Sequence, residues 1–308
     1  MDNAIIQMLA EYNCQSRSDY ENSLKEIIQE IALLGLWRAK FYEHALFYGG
    51  SALRILYGLN RFSEDLDFSL LRPDPHFNLS DYYKAIATEL EGFGFEVEIQ
   101  GKTKASSSQV ESTFIKAGTK TNFIRIRVPD RLLAHVHSNQ LLKIKFEVDL
   151  DPPGQHGIEV KDLFRPIPFQ VKTMPLPDLF AGKIHALLAR NWKSRVKGRD
   201  YYDYLWYLGR NPVLNIRHLE ARLRQSGHLR ETLSVDLLKT MLENRFQKVD
   251  IENAKKDIAT FLKDNEKASL KLWSNDYFVK TIDRLEFTKP PDVSINPEFP
   301  GTAQKRYS

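Results

Sequence analysis

Between Ser18 and Tyr48, the residues Leu24, Ile27, Ile28, Ile31, Leu34 and Leu36 recur at helical spacing, so the pattern predicts an amphipathic helix that feeds a core and is followed by a turn. Phe47-Tyr48-Gly49-Gly50-Ser51 breaks that period and Ala52-Leu53-Arg54-Ile55-Leu56-Tyr57 resumes it, which reads as a short strand, a glycine turn and a helix ended by Gly58. The run Asp65-Leu66-Asp67-Phe68-Ser69-Leu70 then alternates acid or polar with apolar, the signature of a strand with one wet face. A helix is expected over Asp81–Leu90, stopping at Gly92 and Gly94. Strands are expected at Phe95–Ile99, Thr113–Ala117, Phe123–Val128 and Leu142–Leu150.

Asp151-Pro152-Pro153-Gly154 is a firm stop, and Pro166, Pro168 and Met174-Pro175-Leu176-Pro177 mark the passage into a helix-rich half. The expected organisation is a first domain over residues 1–170, a helical domain over 171–288, and a polar, proline-containing tail over 289–308. Helices are expected from Pro177-Asp178 to Arg190 and from Arg199 to Gly209, with a basic loop between them.

Composition narrows the class. Hydrophobic residues make up 42% and charged residues 27% of 308, which is globular and excludes a disordered or fibrous chain. The single cysteine, Cys14, excludes a disulfide scaffold and fits a reducing compartment. The first residues are acidic and polar, unlike an export signal, and no apolar run approaches the length of a membrane helix, so a cytoplasmic protein with no membrane partner is expected. A balance of 44 basic against 40 acidic residues, +4, decides no partner.

The chemistry concentrates in two places. Asp65 and Asp67, at i and i+2 on a strand, share one face, so their carboxylates can meet on one divalent cation, and hard oxygen ligands select Mg²⁺ or Mn²⁺. Gly49-Gly50-Ser51 between a strand and a helix offers backbone N–H groups, a hydroxyl and the positive end of a helix dipole to a phosphate. Either motif alone is commonplace, a turn or a solvated strand face. In this order they form the strand–turn–helix–strand that nucleotidyl transfer from a nucleoside triphosphate (NTP) requires. A third carboxylate is expected from the strand Lys143–Leu150, where Glu147 and Asp149 share a face, with Glu147 the first choice and Asp149 the alternate.

The second place is helical. Lys183 can carry an ammonium to the triphosphate, although a snorkelling surface lysine is the commoner fate. Asp200 and Asp203, at i and i+3, share a helix face, and acids in a first turn also complement the dipole. Arg190, Lys193, Arg195, Lys197 and Arg199 form the densest basic cluster, suited to acceptor phosphates or to plain solvation. His185 reads as a packing or hydrogen-bonding residue, and Tyr201, Tyr202, Trp206 and Tyr207 as core more than as base-stacking residues.

Taken together, Tyr48-Gly49-Gly50-Ser51-Ala52-Leu53, Arg61–Phe68, Lys183–Leu187 and Arg195–Asp203 resemble, in order and spacing, the AbiEii/AbiGii family of nucleotidyltransferase-like toxins from bacterial toxin–antitoxin and abortive-infection systems. The resemblance implies an α+β fold: a DNA polymerase β-like nucleotidyltransferase domain, a mixed sheet flanked by helices, joined to a C-terminal helical domain, with the active site between them. It implies Gly50 and Ser51 at the phosphates, Asp65 and Asp67 at the metal, Lys183 and Asp200 as functional residues, Asp203 as the second acid of the last block, and Glu147 where the family often has its third acid. An NTP substrate, a transfer RNA acceptor end and an antitoxin from a neighbouring gene follow from the same resemblance. A small-molecule acceptor, and a non-catalytic nucleotide- or RNA-binding module, are the alternative readings.

Overall fold

In the computed structural model, residues 2–101, 119–127, 141–190, 196–210 and 213–288 are described. The chain opens with α1 (Asp2–Ala10) and α2 (Arg17–Arg38), then β1 (Ala45–Tyr48), α3 (Gly49–Tyr57), β2 (Asp65–Leu70), α4 (Tyr83–Gly92), β3 (Glu96–Gly101), β4 (Thr119–Arg127), β5 (Leu141–Asp149), β6 (Glu159–Leu163) and β7 (Phe169–Thr173). The remainder is α5 (Leu176–Ala189), α6 (Gly198–Gly209), β8 (Val213–Leu214), α7 (Ile216–Gln225), α8 (Val235–Lys248), α9 (Ile251–Ala259), α10 (Asp264–Lys267), α11 (Asn275–Thr281) and β9 (Glu286–Phe287).

Ser16 starts α2 with a reciprocal cap: its hydroxyl accepts from the Asp19 N–H at 3.2 Å and the Asp19 carboxylate accepts from the Ser16 N–H at 3.0 Å. The helix is buried more completely than one apolar stripe requires. Glu26, Gln29 and Glu30 are buried beside the leucines and isoleucines. Each is partnered: Glu26 accepts from Arg54 at 2.8 Å, Gln29 donates to the Ser63 carbonyl at 3.1 Å, and Glu30 accepts from Arg165 at 2.7 Å.

Seven strands form one mixed sheet in the order β3-β4-β5-β2-β1-β7-β6, in which β2 runs parallel to β5, β1 runs parallel to β7, and the other neighbours are antiparallel. Its alternation separates two faces. Phe47, Leu66, Phe68, Phe146 and Val148 lie in one apolar cluster with α2 and α4, whereas Leu46, Leu53 and Met174 join a second cluster built from α5 to α11. Tyr48, Asp67 and Glu147, paired in register, occupy the face on the side of the second cluster.

The sequence pattern located α2, α3, β2, α4, β5, α5 and α6 within a few residues, and missed β6 and β7. Pro166 and Pro168, read as punctuation only, lie in the connection between those two strands, where no ladder N–H is required. β7 runs across residue 170, where the expected first domain ends. The glycine pair opens α3 instead of preceding it. The expected strand Thr113–Ala117, the basic residues Lys193 and Arg195, and the tail 289–308 lie outside the described residues. Among the described residues no helix is long and apolar enough to cross a membrane.

Candidate active site

Tyr48 ends β1 in extended geometry, and Gly49 at φ +83° turns the chain straight into α3. That φ favours glycine, and so does the space: a Cβ on Gly49 would fall 2.4 Å from Oδ2 of Asp67. A Cβ on Gly50 would fall 2.7 Å from Oγ of Ser63 and 3.0 Å from Nη2 of Arg61. The bare backbone therefore lets an acid close in on one side and an arginine on the other. Ser51 is fully buried and its hydroxyl donates to the backbone carbonyl of Asp65, tying the first turn of α3 to the start of β2.

On the sheet, Asp67 is registered between Tyr48 of β1 and Glu147 of β5, Asp65 lies opposite Lys145, and Ser69 lies opposite Asp149. Glu147 is thus the acid beside Asp67, and Asp149, buried at 3% exposure, lies one step along the same face. Glu147 also pairs with Lys145 at 2.5 Å. Burial, followed by the charges of Glu147 and Asp65, pushes the Asp67 carboxyl up to about 7, against the pull of Lys197 and Lys183. Burial likewise raises Asp65, with Glu147 adding to the effect and Lys145, Lys197 and Arg199 opposing it. Among the described residues no three His, Cys, Asp or Glu side chains stand in a metal-ligating arrangement.

The helical side brings cations to the same place. Lys183, on α5, reaches Oδ2 of Asp203 on α6 at 2.6 Å. Arg61, from the loop before β2, grips the same carboxylate with Nε on Oδ1 and Nη2 on Oδ2, each at 2.6 Å, and its Nη1 donates to the Phe62 carbonyl at 3.0 Å. Burial alone would raise Asp203, but Arg61 and Lys183 outweigh it and hold the carboxyl at about 2. One turn earlier, Asp200 accepts from Arg190 at 2.6 Å and is held below its ordinary value, with Arg190, Lys197 and Lys183 overcoming its burial.

The Lys197 ammonium makes no hydrogen bond or ion pair among the described residues, and burial, aided by Arg190, Arg199 and Lys183 and opposed by Asp200, drops it to about 8. It is one of the charges that act on both Asp65 and Asp67. Arg199 stacks over Phe261 at 4.2 Å. On the flank behind Tyr48, Arg222 of α7 is 4% exposed, its Nε donates to Nε2 of His218 at 2.9 Å, and its guanidinium lies 5.7 Å from the Tyr48 ring centroid.

The structure therefore gathers Gly49, Asp65, Asp67 and Glu147 at one spot, with the Lys183–Asp203 pair bearing on it, and ties Asp200 into the adjoining Arg190 and Lys197 cluster. Tyr201 and Tyr207 are core residues, and His185 shares a 2.9 Å hydrogen bond with Ser226. Arg61 and Lys197 were not singled out from the sequence as site residues. A lone loop arginine has no period to reveal it, and Lys197 is one member of a basic run.

A family model described as the nucleotidyl transferase AbiEii toxin of a type IV toxin–antitoxin system matches residues 31–281. No curated protein matches the chain. Among solved structures it is similar to JHP933 from Helicobacter pylori, at 16% identity and a TM-score of 0.44 over 82% of this chain and 91% of that one. It is also similar to the nucleotidyltransferase toxin MenT4 from Mycobacterium tuberculosis, at 12% identity and a TM-score of 0.45 over 91% and 98%.

Proposed function

The chain belongs to the AbiEii nucleotidyl transferase toxin family, and from that premise we propose that it transfers a nucleoside monophosphate from an NTP to a hydroxyl on RNA, the acceptor end of transfer RNA being the first candidate. Family membership makes it a nucleotidyltransferase toxin with a nucleotide substrate and an antitoxin partner. The RNA acceptor, the metal, the site residues, a cytoplasmic place of action and an antitoxin encoded next door are part of the proposal.

The observation that supports the residue assignment most is the register that sets Asp67 beside Glu147, with Gly49 pressed against Asp67. Burial first, and then the repulsion of Glu147 and Asp65 on the same sheet face, make Asp67 hold a proton up to about 7. All-oxygen donors under mutual repulsion fit a hard divalent cation. Asp65, Asp67 and Glu147, with Asp149 the alternate third acid, do not yet converge on one point, and they would draw together to hold Mg²⁺ or Mn²⁺; such a cation would supply positive charge to the phosphates and acidify an acceptor hydroxyl.

The chain's own groups do the rest. Backbone N–H groups in the first turn of α3, at Gly49, Gly50 and Ser51, face the triphosphate, and the buried Ser51 hydroxyl holds that turn against β2. Lys183 and Lys197 offset the charge that grows on the departing pyrophosphate. Asp203 orients Lys183, and Asp200 steadies Arg190 and Lys197 around it. The acceptor hydroxyl, its proton passing towards Glu147, bonds to the α-phosphorus as the bond to the β-phosphate oxygen breaks. Arg190 and Arg199, half-buried beside the site, favour a polyanionic acceptor over a small molecule.

Purified protein incubated with each labelled NTP, Mg²⁺ and total bacterial RNA should label an RNA species with at least one nucleotide, and Asp67→Asn should abolish the label. Failure of the wild type with all four NTPs would overturn the reading.

A further inference from the structure

The carboxylate of Asp203 is shared by two cations. Arg61 (2% exposed) takes both of its oxygens at 2.6 Å, and Lys183 shares Oδ2 at 2.6 Å. Arg61 directs Nε and Nη2 to Asp203 and Nη1 to the Phe62 carbonyl, so each of its three nitrogens is engaged inside the protein, and at 2% exposure it is not placed to hold a substrate. Its charge, however, alters what Lys183 can do. Two cations around one carboxylate leave one positive charge over, and Lys183 is the member that also bears on Asp67. With Arg61 gone, Lys183 and Asp203 would form a closed, neutral pair, and an ammonium held by its own carboxylate is a poor partner for phosphate.

We propose that Arg61 is a positioning residue that occupies Asp203 so that Lys183 keeps its charge available for the triphosphate. The proposal rests on the reading of Lys183 as a triphosphate contact. The same guanidinium lies close to Gly50, 3.0 Å from where a Cβ would be, so one side chain borders both the turn expected at the phosphates and the carboxylate that holds the lysine expected beside them.

The test is a charge-balance rescue, read as KM for the NTP, kcat, and the Kd of inorganic tripolyphosphate by calorimetry. Arg61→Met should raise KM and Kd about tenfold or more, the scale of one lost charge-assisted contact. The double variant Arg61→Met with Asp203→Asn removes one positive and one negative charge together and leaves Lys183 unneutralised, though no longer oriented by Asp203, so KM and Kd should recover in part, falling at least about threefold below the Arg61→Met values. Arg61→Lys, which keeps the charge and loses the fork, should fall between. If Arg61→Met does not fold, Arg61→Lys and the double variant still carry the comparison. A purely structural Arg61 would let the double variant recover thermal stability while KM stays high, and that outcome overturns the proposal. Unchanged KM in a folded Arg61→Met protein overturns it as well. Wild-type protein that transfers no nucleotide removes the functional reading and this inference with it, whereas wild-type transfer with an unaltered Arg61→Met removes the inference alone.

Discussion

The strand acids and the helix acids face each other across the site and live under opposite electrostatics. Asp65 and Asp67 sit on a sheet face beside Glu147, and burial with like charge raises both. Asp200 and Asp203 are buried more deeply, yet both are lowered, because Arg190, Arg61 and Lys183 are fixed against them. Burial is the first cause in all four, so it cannot explain the difference. Fixed cations can. Carboxylates already satisfied by the chain serve as scaffolding for lysines, and carboxylates left in mutual repulsion are the ones suited to a cation from solution.

This contrast can be broken most directly through transfer. Asp67→Asn should lower kcat/KM by about 10³-fold, roughly 4 kcal/mol, while its Tm in divalent-free buffer at pH 8 stays level or rises. A clear drop in that Tm would place Asp67 with the satisfied acids. Asp203→Asn should do the reverse to stability, costing about 3 kcal/mol near pH 7 because Arg61 and Lys183 lose their carboxylate. Urea denaturation reads the loss. Since the folded carboxyl is lowered to about 2, its contribution is present above the ordinary carboxylate range and lost as pH falls through about 2, so the deficit should shrink in acid.

The strand side has the opposite slope. Asp67 is raised to about 7, so the stability it lends is complete below its unfolded value and lost as pH rises through about 7. Relative to Asp67→Asn, the cation-free protein should lose about 1–2 kcal/mol between pH 5 and pH 8, and millimolar Mg²⁺ should return it at pH 8 while adding little at pH 5. Equal Mg²⁺ effects on Tm at both pH values would remove the distinction between the two acid groups. The smallest effect belongs to Asp200→Asn, about 1 kcal/mol, because Arg190 is about a third exposed and water can replace its partner.

How much of this was legible beforehand follows the same division. Gly49-Gly50-Ser51 and Asp65/Asp67 are local patterns, and a period of two is enough to put both acids on one face. Choosing between Glu147 and Asp149 was beyond the pattern, since they share a face of one strand; only the pairing with β2 sets Glu147 beside Asp67 and Asp149 beside Ser69. Arg61 and Asp203 meet across 142 residues, and charges that cancel at that range leave no mark on local hydropathy. β6 was invisible for another reason: Glu159-Val160-Lys161-Asp162-Leu163 is an edge strand, and edges carry charge where interior strands carry valine and isoleucine.

Because side chains alternate across β2, slipping that strand by a single residue would swing Asp65 and Asp67 into the space now held against Phe47 and Phe146, and would deliver Leu66 and Phe68 to the charged face among Glu147, Lys145 and Lys197. Misalignment of the carboxylates is therefore punished by the hydrophobic effect before any substrate arrives. The greasy side of the sheet proofreads the charged side, and a chain that has folded correctly has, in the same act, aimed its acids.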